Sequence, residues 1–505
     1  MPAALPQTQR TTPPEPPTGH THTHPHTRPH ERARKTLPWS VAAALFIIYA
    51  ALAIRDQQRM VTTGYDLGIF DQAVRSYAHG HLPISTLKGP HYDLLGDHFS
   101  PIIATLAPFY RLWPSAYTLL IAQAALFAIG AVPLTRWATT ELGARAALAV
   151  GVIYGLSWGI ASAAGFDFHE IAFAVPLLSF SATALGQRRP HAAILWALPL
   201  LLVKEDLGFT VATIGLISAT RGAKKSGLAT AIAGVAGSII EIKLLIPAAN
   251  HAPYAYTTSL FSAGPAHAGP ATHLLYDAAH FLLPHVKLIT LIQLVAPTAF
   301  LSTRSPLILL TVPTLTWRFL SGDSMYWGTM FQYSAVLMPI VVAAFIEALT
   351  RRRTRQSPPP RPPQPPHPTR PSPFWRTSTL PPLVIALTVT AILLPSYPLA
   401  KLAHPSEWST PPRITAARTL LQRIPTGATV SASNTLIPQL TDRTTVYLFT
   451  PTTLASVTWI LLDTQTINTF PLSQPAYAQL ITTAKHDGFQ IIATQDGYLL
   501  LHRPQ

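Results

Sequence analysis

Long apolar runs recur along this chain with almost no charge inside them. Val41 to Ile54 and Tyr117 to Val132 contain no charged residue. Of the 505 residues, 48% are hydrophobic and 11% are charged, where a soluble protein carries about 25% charged residues. A helix needs roughly 20 mainly apolar residues to cross the hydrocarbon core. The expected fold class is therefore mainly α, a polytopic transmembrane helical bundle of about eleven spans. The spans fall near 37–54, 116–135, 144–164, 171–187, 191–203, 207–220, 227–248, 287–303, 305–320, 333–349 and 380–396. Segments 191–203 and 207–220 read as short spans or as one broken helix.

The formal net charge is +15, but its layout argues against nucleic acid. The basic residues form short clusters between apolar runs rather than a stripe on a soluble face. Arg28, Arg32, Arg34 and Lys35 precede the first run. Arg136 and Arg145, then Arg188 and Arg189, then Arg221, Lys224 and Lys225, then Arg304, then Arg351 to Arg353 and Arg355 follow every second run. Basic loops stay cytoplasmic, so the expected location is the cytoplasmic membrane, with the N-terminus inside. Loop 55–100 also carries Arg55, Arg59, Arg75 and Lys88 and weakens the pattern there. No cleavable signal peptide is expected, and the first run reads as a retained span. Cysteine is absent, which excludes disulfides and thiolate metal sites.

Five regions are expected. Residues 1–36, rich in Pro, Thr and His, read as a disordered cytoplasmic tail. Residues 37–349 form the transmembrane core with outer loop 55–100, after which the partly apolar stretch Pro101 to Trp113 packs at the interface. Residues 350–379 form a Pro-rich cytoplasmic linker, and 380–396 the last span. Residues 397–505 read as a small extracytoplasmic α/β domain. Its helices are expected over 414–424 and 476–485, and its strands at 429–432, 445–448, 459–462, 490–493 and 498–501. Asp496-Gly497 is a hairpin signal between the last two strands.

Acids collect at run ends on one predicted side. Asp66 and Asp71 stand in Tyr65-Asp66-Leu67-Gly68-Ile69-Phe70-Asp71-Gln72, Asp167 and Glu170 in Asp167-Phe168-His169-Glu170, and Glu205 and Asp206 in Lys204-Glu205-Asp206. Ionisable groups at membrane depth are costly and mark sites. These carboxylates suit a general base or oxygen ligands for a divalent metal. His98, in Asp97-His98-Phe99-Ser100-Pro101, suits phosphate, metal or a proton. Metal candidates are Asp66, Asp167, His169 and Glu170. Asp93 reads as an ordinary solvated loop acid, and Asp167 also fits a helix cap. Lys204 suits a lipid phosphate. Arg318, with Trp317, Tyr326 and Trp327, suits a phosphate and sugar rings, although interfacial tryptophans also serve as anchors. No Walker motif is present, so nucleotide-driven transport has no support.

The segments 65–72, His98-Phe99-Ser100-Pro101, Asp167-Phe168-His169 and Lys204-Glu205-Asp206, in this order, resemble a family of bacterial multi-pass membrane proteins of unknown function. That family distantly resembles the GT-C membrane glycosyltransferases. The resemblance implies a donor sugar on a polyprenyl phosphate, a membrane-lipid partner and an acid in the first outer loop as catalyst. Asp66 holds that position, although Leu67 follows it where the superfamily often has a second acid. On this reading Asp66 is the base and Lys204 or Arg318 holds the donor phosphate. Asp167, His169 and Glu170 orient the acceptor or a metal, and Asp71, Gln72, Glu205 and Asp206 complete the binding site. The alternatives are a transporter or flippase for a lipid-linked or polar solute, and a non-catalytic envelope assembly protein.

Overall fold

The computed structural model describes residues 29–257, 284–354 and 379–504. Most of the expected tail, residues 258–283 between the expected spans 227–248 and 287–303, and most of the Pro-rich linker lie outside the described residues. The first helix, Pro29–Gln58, starts ahead of the expected 37. Ala116–Leu142 packs along it, with Tyr49 and Phe127 edge to face at 6.3 Å. Buried hydroxyls find helix carbonyls, Tyr49 at Gly155 O (2.8 Å) and Tyr154 at Phe127 O (2.7 Å). That satisfies polar groups which would otherwise be costly in the core.

Apolar helical segments occur at all the expected places, but the expected number of spans is not obtained. Among the described residues only Lys35–Gln58, Ala116–Leu142 and Lys224–Asn250 are long and apolar enough to cross by themselves. Ala144–Gly155 and Trp158–Ala164, bent by 50°, make a fourth if they count as one. The reason is length. At about 1.5 Å per residue, a helix such as Leu207–Thr220 falls short of a hydrocarbon core of about 30 Å. Many segments are also broken by 3₁₀ turns that open on proline, as at Leu198–Leu202 and Pro306–Thr311.

Leu207–Thr220 and Lys224–Ile240 press backbone to backbone. A Cβ on Gly215 would lie 2.6 Å from Gly227 O, and one on Gly208 would lie 2.4 Å from Gly234 O. Small residues allow this close approach, and the tight pair fixes the Lys204–Asp206 turn at one end. At the other end of the same helices, Glu347 accepts from Arg221 (3.0 Å), Arg351 (2.8 Å) and Ser305. The basic loops therefore share one end of the bundle, and the acidic motifs share the other.

The C-terminal sheet has the order β2-β1-β3-β5-β4, with β1 Thr429–Ala432, β2 Thr445–Leu448, β3 Trp459–Asp463, β4 Gln490–Gln495 and β5 Tyr498–His502. β1 runs parallel to β2 and β3, while β5 is antiparallel to β3 and β4. Asp496 and Gly497 take positive φ (46° and 80°) in the β4–β5 turn. Alternation sends the strand residues to two cores. Leu461 and Leu500 join Ile414 and Leu420, while Ile460, Leu462 and Leu501 join Tyr477 and Leu480. The first of these cores continues into Leu67, Phe70, Ala73 and Leu119. The sheet thus shares its hydrophobic interior with the acidic loop rather than standing apart from it.

Candidate functional site

Asp66 sits on a single π-turn, Gly64–Gly68, that leads into helix Ile69–Ala78. The C-terminal region builds that turn from outside. Asn434 accepts Gly64 N–H through its backbone oxygen (2.8 Å) and Tyr65 N–H through Oδ1 (2.9 Å). Gly64 is required by crowding, since a Cβ there would lie 2.6 Å from the Ile437 side chain. From the other side, Asp167 accepts Thr63 N–H (3.0 Å) and Thr63 Oγ1–H (2.6 Å). Asp167 takes φ +42° to do so. Burial and the neighbouring Asp66 charge push its carboxyl up to about 7, against the Thr63 hydrogen bonds.

Asp66 Oδ1 lies 3.1 Å from His169 Nε2. The imidazole stacks on Phe166 at 5.3 Å, and its buried Nδ1 has no hydrogen-bond partner among the described residues. Gln123 clamps this loop. Its Oε1 accepts His169 N–H at 3.1 Å, and its Nε2 donates to Asp167 O. Gln123 lies inside an apolar run, and nothing in the sequence distinguished it.

The turn 204–206 meets these groups. Lys204 Nζ pairs with Glu170 Oε1 at 2.7 Å. Glu205 accepts from Phe99 N–H (3.1 Å) and the Tyr254 hydroxyl (2.5 Å), and lies 2.7 Å from His98 Nδ1. Ser238 Oγ donates to Glu205 O at 2.6 Å, tying the turn to the close helix pair. Asp206 Oδ1 is buried without a hydrogen-bond partner among the described residues. Lys88 pairs with Asp97 at 3.0 Å and reaches the Tyr65 hydroxyl at 3.3 Å. In the sequence Lys88 reads only as a loop charge. Its one signal was its place in the same loop as Asp97 and His98.

Several of these groups open on a cavity of about 780 Å³. Asp66, Lys88, His98, His169, Glu170, Lys204, Glu205 and Asp206 line its polar part. Phe209 and Thr213 of helix Leu207–Thr220, Val312 and Leu320 of helix Val312–Leu320, and Ile242 and Leu309 line its largely apolar part.

Other expected site residues lie elsewhere. Asp71 is fully buried and accepts the Tyr110 hydroxyl at 3.2 Å. Gln72 joins the loop to the sheet, donating to Thr86 Oγ1 (2.9 Å) and Val446 O (3.0 Å). Arg318 is fully buried, and its guanidinium donates to Tyr326 O, Gly328 O and Ser334 Oγ at 2.6–2.9 Å. None of the three lines the cavity, because local partners hold them. Asp167 is likewise held by Thr63 and supports the Asp66 turn. Asp93, read as solvated, is buried and caps the 3₁₀ turn Leu94–Gly96 through Leu95 N–H at 2.9 Å. Among the described residues no three His, Asp or Glu side chains gather to hold a metal ion. The expected metal candidates are divided between Thr63, Lys204 and the Asp66–His169 contact.

Asp71 gives a pH test of the loop–sheet junction. Burial pushes its carboxyl up to about 7, whereas an unfolded aspartate titrates at about 3.9. The folded state holds the proton more tightly. Its contribution to stability is therefore full below about pH 4 and lost as pH rises through about 7. Asp71→Asn removes that loss. The variant's thermal midpoint is expected to gain on the wild type between about pH 5 and about pH 8, and a constant gap between the two would contradict this.

The fold is similar to that of solved membrane-protein structures. It is similar to ArnT from Cupriavidus metallidurans bound to undecaprenyl phosphate, at 12% identity and a TM-score of 0.54, covering 92% of this chain and 99% of that one. The apo ArnT structure gives 12% and 0.51 over the same shares. The archaeal oligosaccharyltransferase AglB from Archaeoglobus fulgidus, in complex with an inhibitory peptide and a dolichol-phosphate, gives 11% and 0.39 over 92% and 74%. The AglB likeness is too low to carry weight. No curated protein matches the chain. Residues 57–500 match the family described as Predicted membrane protein (DUF2079), and the chain belongs to that family.

Proposed function

We propose that the protein transfers a sugar from a polyprenyl-phosphate donor to an acceptor hydroxyl at the outer face of the cytoplasmic membrane. The observation that carries this is one cavity with two characters. Its polar part holds a carboxylate beside an imidazole, with two lysines nearby, and its other part is lined mainly by apolar side chains such as Phe209, Ile242, Leu309 and Leu320. A donor of this class has the same two parts, a charged head and a long hydrocarbon chain. The ArnT structure of similar fold holds undecaprenyl phosphate, which supports a lipid of this kind here.

In this reading Asp66 takes the proton of the acceptor hydroxyl as its oxygen attacks the anomeric carbon. His169 orients the carboxylate. Lys204 and Lys88 face the donor phosphate, each still held by a carboxylate. Transport is the weaker reading, because a transporter needs a route to the opposite side. The bundle end opposite the cavity is filled by Glu347, Arg221, Arg351 and Ser305. Purified protein in lipid, given a panel of polyprenyl-phosphate sugars, is expected to transfer sugar from one of them. Lack of transfer across the panel, together with movement of a donor between leaflets, would favour transport.

The same proposal places the acidic end and the C-terminal sheet outside the membrane and the basic end inside. Reporter fusions after residue 504 are expected to read extracytoplasmic, and fusions in the loop after Arg221 cytoplasmic. The reverse pattern would place the cavity on the wrong side for an exported acceptor.

A further inference from the structure

The cavity holds a second imidazole that the mechanism above leaves unused. His98 lines it, stacked on Tyr256 at 4.7 Å with an interplanar angle of 18°. Its Nδ1 is engaged by Glu205 at 2.7 Å. Glu205 is itself almost fully buried, and its position is fixed by Phe99 N–H, the Tyr254 hydroxyl and, through its backbone, Ser238. A carboxylate on one ring nitrogen fixes the tautomer and the direction of the other. Nε2 makes no hydrogen bond to the described residues, so it is the nitrogen left to face a ligand.

We infer that His98 is the proton donor to the leaving phosphate, a second acid–base residue in the cavity that Asp66 also lines. This rests on the transfer reading above. As the acceptor oxygen bonds to the anomeric carbon, the bond from that carbon to the phosphate oxygen breaks, and its electron pair stays on the phosphate. Asp66 receives the acceptor proton. His98 gives its Nε2 proton to the phosphate, which leaves as a monoanion with the neutral imidazole still held by Glu205. Asp66 then loses its proton to water and His98 regains one, so each turnover moves one proton from acceptor to phosphate. The chemistry matches, since the second ionisation of a phosphate monoester lies at about 6, near that of an imidazole at about 6.5. Neither partner then holds the proton too tightly.

The surroundings keep His98 protonated more readily than a free histidine. Glu205, Tyr254 and Tyr256 touch it, and Asp97 precedes it. Lys204, Glu170 and Asp206 act on it by charge. Burial and Lys204 oppose the imidazolium, Glu205 and Asp97 favour it, and the balance lies above the ordinary histidine value.

The test is the pH profile of transfer by purified protein in lipid, using the donor that the panel identifies. The wild type is expected to lose kcat on the alkaline side as His98 deprotonates. His98→Gln should lower kcat by about 10²-fold, leave KM nearly unchanged and abolish that alkaline limb. Glu205→Gln removes the counter-charge and should move the limb to lower pH, and it carries the test if His98→Gln does not fold. A limb unchanged in both variants would overturn the role of His98. If transfer depends on Asp66 but not on His98, only this inference fails. If no donor is turned over, the transfer reading fails and takes this inference with it.

Discussion

Asp66→Asn is expected to abolish sugar transfer while leaving folding, membrane insertion and donor binding intact. Asparagine keeps the shape of the side chain, and its amide oxygen can still accept from His169 Nε2, 3.1 Å away in the wild type. What it loses is the capacity to take a proton, and removal of a general base costs about 10²–10⁴-fold in rate. The π-turn itself should survive, because its supports are Asn434, Thr63 and Asp167 rather than the Asp66 carboxylate. Asp487→Asn, on an exposed residue after helix Gln474–His486, is a suitable control. Sugar release from a polyprenyl-phosphate donor is the measurement, and full activity in Asp66→Asn would remove Asp66 from the mechanism.

Lys204→Met should have the largest effect on stability. Lys204 pairs with Glu170 at 2.7 Å, and the Glu170 side chain is only 2% exposed. Removing one partner of a buried pair leaves the other charge uncompensated, typically at a cost of about 3–5 kcal/mol. Glu205 and Asp206 lie beside the same lysine, so the variant would also crowd three acids without their cation. The double variant Lys204→Met with Glu170→Gln should recover most of the loss, because the stranded carboxylate is gone. Thermal unfolding of the single and double variants in lipid measures this as a coupling between neighbours. Equal midpoints for wild type and Lys204→Met would mean that water, not Lys204, solvates Glu170.

Charge in an apolar background made much of the cavity legible in the sequence. Glu170, Lys204 and Glu205 stood out because short polar motifs interrupt otherwise apolar sequence, and Asp66 because apolar and aromatic residues flank it in the first outer loop. The strands were legible because Ile460, Leu461 and Leu462 must alternate between two cores. What the sequence could not show is which polar groups satisfy one another. Arg318 reads as a free cation near aromatics. Only the return of residues 326–334 supplies the carbonyls and hydroxyl that occupy it. Asn434 and Ile437 brace Asp66 from about 370 residues away along the chain, and no local pattern announces such a contact. Helix length does not recover the expected number of spans, for a different reason. Apolar composition marks a helix as buried or lipid-facing, but 3₁₀ turns opening on proline shorten several helices below the crossing length.

The central claim, that this protein consumes a polyprenyl-phosphate sugar, is tested most directly by profiling lipid-linked sugars in cells lacking it. One polyprenyl-phosphate sugar is expected to accumulate, to return to its normal level with the wild-type protein and to stay high with Asp66→Asn. Identical lipid-linked sugar pools in the deletion strain, the complemented strain and the Asp66→Asn strain would contradict the claim.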